Sequence, residues 1–388
     1  MQKIKGYLLA VFLIENLMVQ APILHGIANI FFYIFLSIGF LCAFDPKNWS
    51  RESKAKFGWI FSLMMIYIIY EFIVGREFIT QQTFLYLIAK ISTFFIIMTS
   101  LNYHFDFYES RIMLYLLGII ALITLYGILS GGTANMNDAR VKLGFSNPNS
   151  TGAFGAIISG IILFYSKSHK LDWKCFLILF IGVFAILASG SRAAVLMLFI
   201  LIIFRYGVGY KVVVAGLCFL LFAVVILPNL GLETVGVDRL LNTINGVEGV
   251  GRDKQREAAI WMIQQRPWTG WGFNVQNQGY ALQLTLMGSH NGYLETFKYM
   301  GLPIGIIWFL IIVIATIKYW RSKVIYHIEM DFYFTILIAL YVKSMYEGLF
   351  TGVHEFETNL FFVALAILSS RNYYLKYDKD YTVNTGMG

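Results

Sequence analysis

One histidine and a group of arginines carry most of the chemistry this sequence offers. His290 stands in Ser289-His290-Asn291, where Ser289 or Asn291 can cap a helix that runs on toward residue 300. At or just before the positive end of a helix, an imidazolium is disfavoured, and a ring nitrogen stays able to accept a proton. The plainer reading of His290 is a polar residue at a helix start. Arg192 follows Ser189-Gly190-Ser191. Arg252 and Arg256 are four apart on 251–265, which reads as an amphipathic helix ended by Arg266-Pro267. Guanidinium is always charged and meets phosphate oxygens in a fork of donors. Several such groups around one histidine suit a lipid-linked phosphate or diphosphate. Each arginine taken singly is also explained as an interfacial charge facing anionic head groups.

The elements that must hold these residues are membrane helices. Of the 388 residues 58% are hydrophobic and only 13% charged, about half the usual share for a soluble chain. The mean hydropathy is +0.67. A soluble fold cannot hide that much apolar surface. Long uncharged runs exclude the two-residue alternation of an outer-membrane barrel. Disorder and nucleic-acid binding are excluded too, so the net charge of +8 is read as a signal of orientation.

With about 20 apolar residues per span, spans are expected near 7–24, 26–44, 57–74, 83–101, 112–130, 148–166, 174–190, 191–206, 211–229, 300–317, 331–349 and 357–370. The fold class is therefore an all-α integral membrane protein of about twelve transmembrane helices. Placing both termini in the cytoplasm puts most lysines and arginines in the short cytoplasmic segments. Lys3 and Lys5 before an apolar run imitate a signal peptide, but the spans that follow favour an uncleaved first helix. Four regions result: helices 1–229, a long outer loop 230–298, helices 299–370 and a cytoplasmic tail 371–388. The loop is partly helical, with a two-tryptophan glycine turn, Trp268-Thr269-Gly270-Trp271-Gly272, suited to the membrane interface. None of the three cysteines falls in an outer loop, which leaves no disulfide framework there.

Other polar groups support smaller expectations. Asn147-Pro148-Asn149 reads as a turn and helix start capped by Asn149. Lys343 and Glu347, four apart in a span, are expected to pair. Lys90 lies inside a span with no partner evident, and lines a groove or balances Glu71 or Glu15. No Walker loop, dinucleotide fingerprint or His-Glu-x-x-His motif occurs.

Taken in order, Ser189-Gly190-Ser191-Arg192, Gly251-Arg252, Pro267-Trp268-Thr269-Gly270-Trp271-Gly272, His290-Asn291-Gly292-Tyr293-Leu294-Glu295 and Gly301-Leu302-Pro303 resemble the O-antigen polymerase and O-antigen ligase superfamily. Asn147-Pro148-Asn149 looks like an element found upstream in that family. The resemblance implies an inverting, metal-independent glycosyltransferase without a cofactor, working at the periplasmic face of the inner membrane on a glycan carried by undecaprenyl diphosphate. It implies that Arg192 and Arg252 hold the diphosphate and that His290 is the base or orients the acceptor. Arg256, Arg266, Asn291, Glu295 and Asn147 would bind substrate. Membrane lipids, a chain-length regulator and a flippase are the implied partners, and no nucleic acid. The short chain, rich in Ile, Phe and Tyr, looks more like a polymerase than a ligase. A flippase or secondary transporter is the alternative class, but transporters show broken spans at matching positions in two halves, and no such self-similarity appears.

Overall fold

The computed structural model describes residues 2–103, 118, 121–123, 125–127, 129, 142–167, 170–207, 209–210, 250–273, 289–322, 328–353 and 355–377. Every regular element among them is helical. The long helices are α1 (Gln2–Val19), α2 (His25–Ala43), α3 (Arg51–Ile69), α4 (Gln81–Tyr103), α5 (Pro148–Tyr165), α6 (Trp173–Ser189), α7 (Arg192–Tyr206), α8 (Val250–Gln265), α9 (Gly292–Trp320), α10 (Ile328–Lys343) and α11 (Phe356–Tyr377). Among the described residues, four stretches are long and apolar enough to cross a membrane: Pro22–Ala43, Arg51–Val74, Gln81–Tyr103 and Gly292–Trp320. Tyr7–Val19 and Trp173–Ser189 are shorter apolar helices. Large apolar side chains such as Ile30, Leu41, Phe180 and Trp320 point outward, as a lipid-facing surface requires. The span expected at 211–229 and most of that at 112–130 lie outside the described residues, as do 230–249, 274–288 and the tail from 378.

Two helices form the middle of the bundle. Nearly all of α5 is buried, from Pro148 to Phe164, and α11 is buried from Thr358 through Ser370. Around α5 pack α6, α7 and α10; around α11 pack α1, α3, α4, α9 and α10. The break between α6 and α7 falls at Gly190, whose φ of 60° is left-handed, and Ser191 caps α7 by accepting from the Ala194 N–H. This puts Arg192 on the first turn of α7.

Two local features depart from a straight-helix reading. The helical run expected to pass smoothly from Asn291 into a span is kinked at Gly301, with φ +74°. The turn Pro267–Gly272 docks into that kink. Leu302 N–H donates to the Pro267 carbonyl at 2.7 Å, Trp271 N–H to Lys298 at 2.9 Å and Gly272 N–H to Tyr299 at 3.1 Å. Tyr70, in the π-helical end of α3 (Tyr70–Val74), ties the same turn down by donating to the Thr269 and Tyr299 carbonyls and accepting from Gly272 N–H. The second feature is the end of α10. Hydropathy carries the span to 349, yet the helix stops at Lys343 and residues 344–353 run irregularly back into the bundle.

Candidate active site

Irregular backbone inside a membrane helix bundle must find donors for its carbonyls, and it persists where it lines a cavity. Residues 344–353 fit both conditions. Most of their carbonyls have donors: Ser344 takes Gly292 N–H, Met345 takes Asn291 Nδ2 and Arg256 Nη2, and Leu349 takes the Thr358 hydroxyl. Tyr86 Oη serves Thr351 at 2.7 Å, Lys90 Nζ serves Gly352, and Asn359 Nδ2 serves Val353 at 3.2 Å. Lys90 is nine residues into α4, so this contact lies about 13 Å along the helix from its start. Lys90 thus pairs with neither Glu71 nor Glu15; it holds a backbone carbonyl and faces the charge of Glu355.

Opposite this segment stands His290. Asn291 caps α9, its side-chain oxygen accepting from Tyr293 and Leu294 N–H at 3.1 and 3.0 Å. Glu295, one turn on, accepts from Ser289 N–H at 2.7 Å and lies 3.5 Å from Lys298 Nζ. Between these two clamps His290 is forced to φ +48°. A non-glycine residue there is strained by about 1–3 kcal/mol and persists only where its surroundings over-determine it. Its Nδ1 lies 3.4 Å from Glu347 Oε2, and Glu347 Oε1 accepts from Asn149 Nδ2 at 2.5 Å.

Two sequence expectations are corrected here. Lys343 does not pair with Glu347; it pairs with Glu357 on α11. The i, i+4 relation needs a continuous helix, and α10 ends at Lys343, which swings Glu347 away. Asn149 is not the cap of α5. Proline favours the first helical position, so Pro148 sets the start and Asn147 caps it by accepting from Asn149 N–H at 2.9 Å. The Asn149 side chain is thereby available to Glu347.

These groups wall a cavity of about 420 Å³, within the size range of small-ligand sites. Among the catalytic and substrate-binding residues expected from sequence, His290, Glu295 and Asn147 line it. Glu347, Glu355, Glu357 and Asn149 line it as well, and none of them was assigned a site role from sequence. Tyr86 and Phe273 stack with ring centroids 4.5 Å apart in its wall, beside Tyr299. Glu355 is exposed at this wall, close to Glu357 on the next helix.

Among the described side chains, no arginine lines the cavity. Among the described lining residues the charges are four glutamates and Lys343. Arg256 reaches the rim, 3.4 Å from the Met345 carbonyl that Asn291 also serves. The backbone of Arg252 lies one helical turn before Arg256 on α8; its side chain is outside the described residues. Arg192 is half-buried where α7 begins. That end of α7 packs so closely on α5 that a Cβ on Gly152 would meet Ser191 Cβ at 2.9 Å, one turn from Asn149. Arg266 is placed elsewhere, in an ion pair with Glu77 at 2.5 Å and over the Trp271 ring at 4.7 Å.

No curated protein matches the chain. Residues 177–310, from α6 into α9 and including Arg192, Arg252 and His290, match the family model described as O-antigen ligase, and over that stretch the chain is similar to the O-antigen polymerase and ligase superfamily.

Proposed function

We propose that the protein is a membrane glycosyltransferase that moves a glycan from undecaprenyl diphosphate to a sugar hydroxyl, inverting the anomeric centre. The observation that carries this reading is His290. It is held in a strained left-handed conformation at the wall of a polar cavity, within the stretch that matches the O-antigen ligase family. Imidazole there suits a general base for the acceptor hydroxyl, a role that contributes about 10²–10⁴-fold.

Lipid diphosphate is already a good leaving group, so the remaining requirement is positive charge where charge grows on the departing oxygen. Arg192 and Arg252 are assigned that task, with Arg256 at the rim. A cavity bearing four carboxylates repels a diphosphate, whereas its carboxylates, amides and aromatic faces suit hydroxyl-rich rings. The acceptor sugar is therefore assigned to the cavity and the diphosphate to the arginine side. Holding the two substrates in line supplies much of the remaining rate through proximity. In this reading both termini are cytoplasmic and the site faces the periplasm of a bacterial inner membrane.

The preferred acceptor is a second lipid-linked repeat unit, which makes the protein an O-antigen polymerase. The description of the matching family favours a second reading, a ligase that delivers the glycan to lipid A–core. Reconstitution with a defined lipid-linked repeat unit as the sole substrate separates them. A ladder of products is expected. Transfer that begins only when lipid A–core is added establishes the ligase, and no transfer to either acceptor refutes the glycosyltransferase. His290→Ala is expected to lower transfer by about 10²–10⁴-fold with donor binding retained; near-normal product in that variant removes the base assignment.

A further inference from the structure

Three segments far apart in the chain place polar groups in one line at the cavity wall. Asn149 comes from the second position of α5, His290 from the residue before the α9 cap, and Glu347 from the irregular stretch after α10. Asn149 Nδ2 donates to Glu347 Oε1 at 2.5 Å, and Glu347 Oε2 lies 3.4 Å from His290 Nδ1. All three line the cavity. We infer that Glu347 and Asn149 form a positioning relay for His290, fixing its proton on Nδ1 so that Nε2 is presented to the acceptor hydroxyl. The inference rests on the glycosyltransferase reading for its chemistry, though not for its geometry.

The physical argument runs through tautomers. A carboxylate only accepts, so its contact with Nδ1 selects the ring form that carries hydrogen there. Nε2 then holds the lone pair. In the transfer step the acceptor O–H proton passes to Nε2 as the acceptor oxygen bonds the anomeric carbon. The bond from that carbon to the diphosphate oxygen breaks, and its electron pair leaves with the diphosphate. The ring becomes a cation beside Glu347, which stabilises it as it forms. Asn149 holds the carboxylate in place by gripping its second oxygen. A separation of 3.4 Å is long for a hydrogen bond, and such contacts often tighten only when substrate is bound.

Two measurements test the relay. The first is kinetic, on full-length protein in nanodiscs with a lipid-linked repeat unit. Glu347→Gln is expected to lower kcat by about 10²-fold or more with KM for donor within about threefold, because the loss falls in the transition state. Glu347→Asp restores part of the rate. Combining Glu347→Gln with His290→Ala costs nothing beyond His290→Ala alone, since one acts through the other. The second is spectroscopic and needs no turnover. With 15N-histidine labelling, and the His290 resonance assigned by its loss in His290→Gln, the neutral ring shows the Nδ1–H form in the wild type and loses it in Glu347→Gln. A wild-type kcat in Glu347→Gln, additive losses in the double variant, or an Nε2–H ring in the wild type overturns the relay. Where Glu347→Gln fails to fold, the wild-type tautomer and Asn149→Ala decide it, the latter expected to mix the two tautomers. If no transfer is seen with any acceptor, the glycosyltransferase reading fails and the tautomer measurement still decides the relay.

Discussion

Replacing Gly270 by alanine tests whether the two-tryptophan turn is a structural clamp on the site. Gly270 has φ +65°, and a Cβ there would lie 2.3 Å from the Tyr299 carbonyl oxygen and 2.5 Å from Gly301 N. Both neighbours are backbone, so neither swings aside. Ordinary contact begins near 3.4 Å, and the turn must retreat by roughly 1 Å. Left-handed backbone costs a side-chain-bearing residue about 1–2 kcal/mol. Retreat also stretches the bonds from Trp271 and Gly272 N–H to Lys298 and Tyr299, at 2.9 and 3.1 Å, each contributing about 1 kcal/mol net. The sum is about 3–4 kcal/mol of destabilisation. Tyr299 and Phe273 line the cavity, and a displacement of roughly 1 Å can cost on the order of 10²-fold in rate. Thermal unfolding in nanodiscs and initial rates of transfer measure the two effects. Gly26→Ala is the control, because a Cβ there meets nothing within 4 Å. If Gly270→Ala melts with the control and transfers at the wild-type rate, the turn does not clamp the site.

Other outcomes follow from the same geometry. Arg192→Lys and Arg252→Lys are each expected to transfer at well below the wild-type rate, because a point charge does not reproduce the guanidinium fork; full activity in both leaves the arginines as membrane-surface charge. Activity is expected to persist in EDTA, since arginine charge is assigned to the leaving group; loss that a divalent cation restores reverses that assignment.

The legible parts of the structure were those governed by local rules. Asn291 caps where a short polar side chain precedes an apolar run, the helix at 250–265 follows its spacing, and Arg266-Pro267 ends it. The start of α5 reads less well: the sequence points to Asn149 as the cap, whereas Pro148 at the first helical position leaves that role to Asn147. What the sequence hides is the irregular segment after α10. The apolar run before Lys343 carries the expected span on to Leu349, although Ser344, Glu347 and Gly348 interrupt it. The groups that satisfy the backbone of the irregular segment, Tyr86, Lys90 and Asn291, lie far off in the chain. Glu347 and Glu355 reach the site through that excursion, and Glu357 from the start of α11. The left-handed turn at His290 is fixed by the clamps on either side of it, in a region histidine enters more readily than most residues.

The excursion between α10 and α11 also bears on how the protein is made. Synthesis delivers Asn149 and His290 to the bilayer long before Lys343–Glu357 leaves the ribosome. Until that last hairpin arrives, the basin has no floor: Tyr86, Lys90 and Asn291 wait for carbonyls not yet translated, and His290 has no carboxylate beside it. A nascent chain that has not yet reached α11 therefore lacks one wall of the cavity, which is completed only when the final helix pair packs into the bundle.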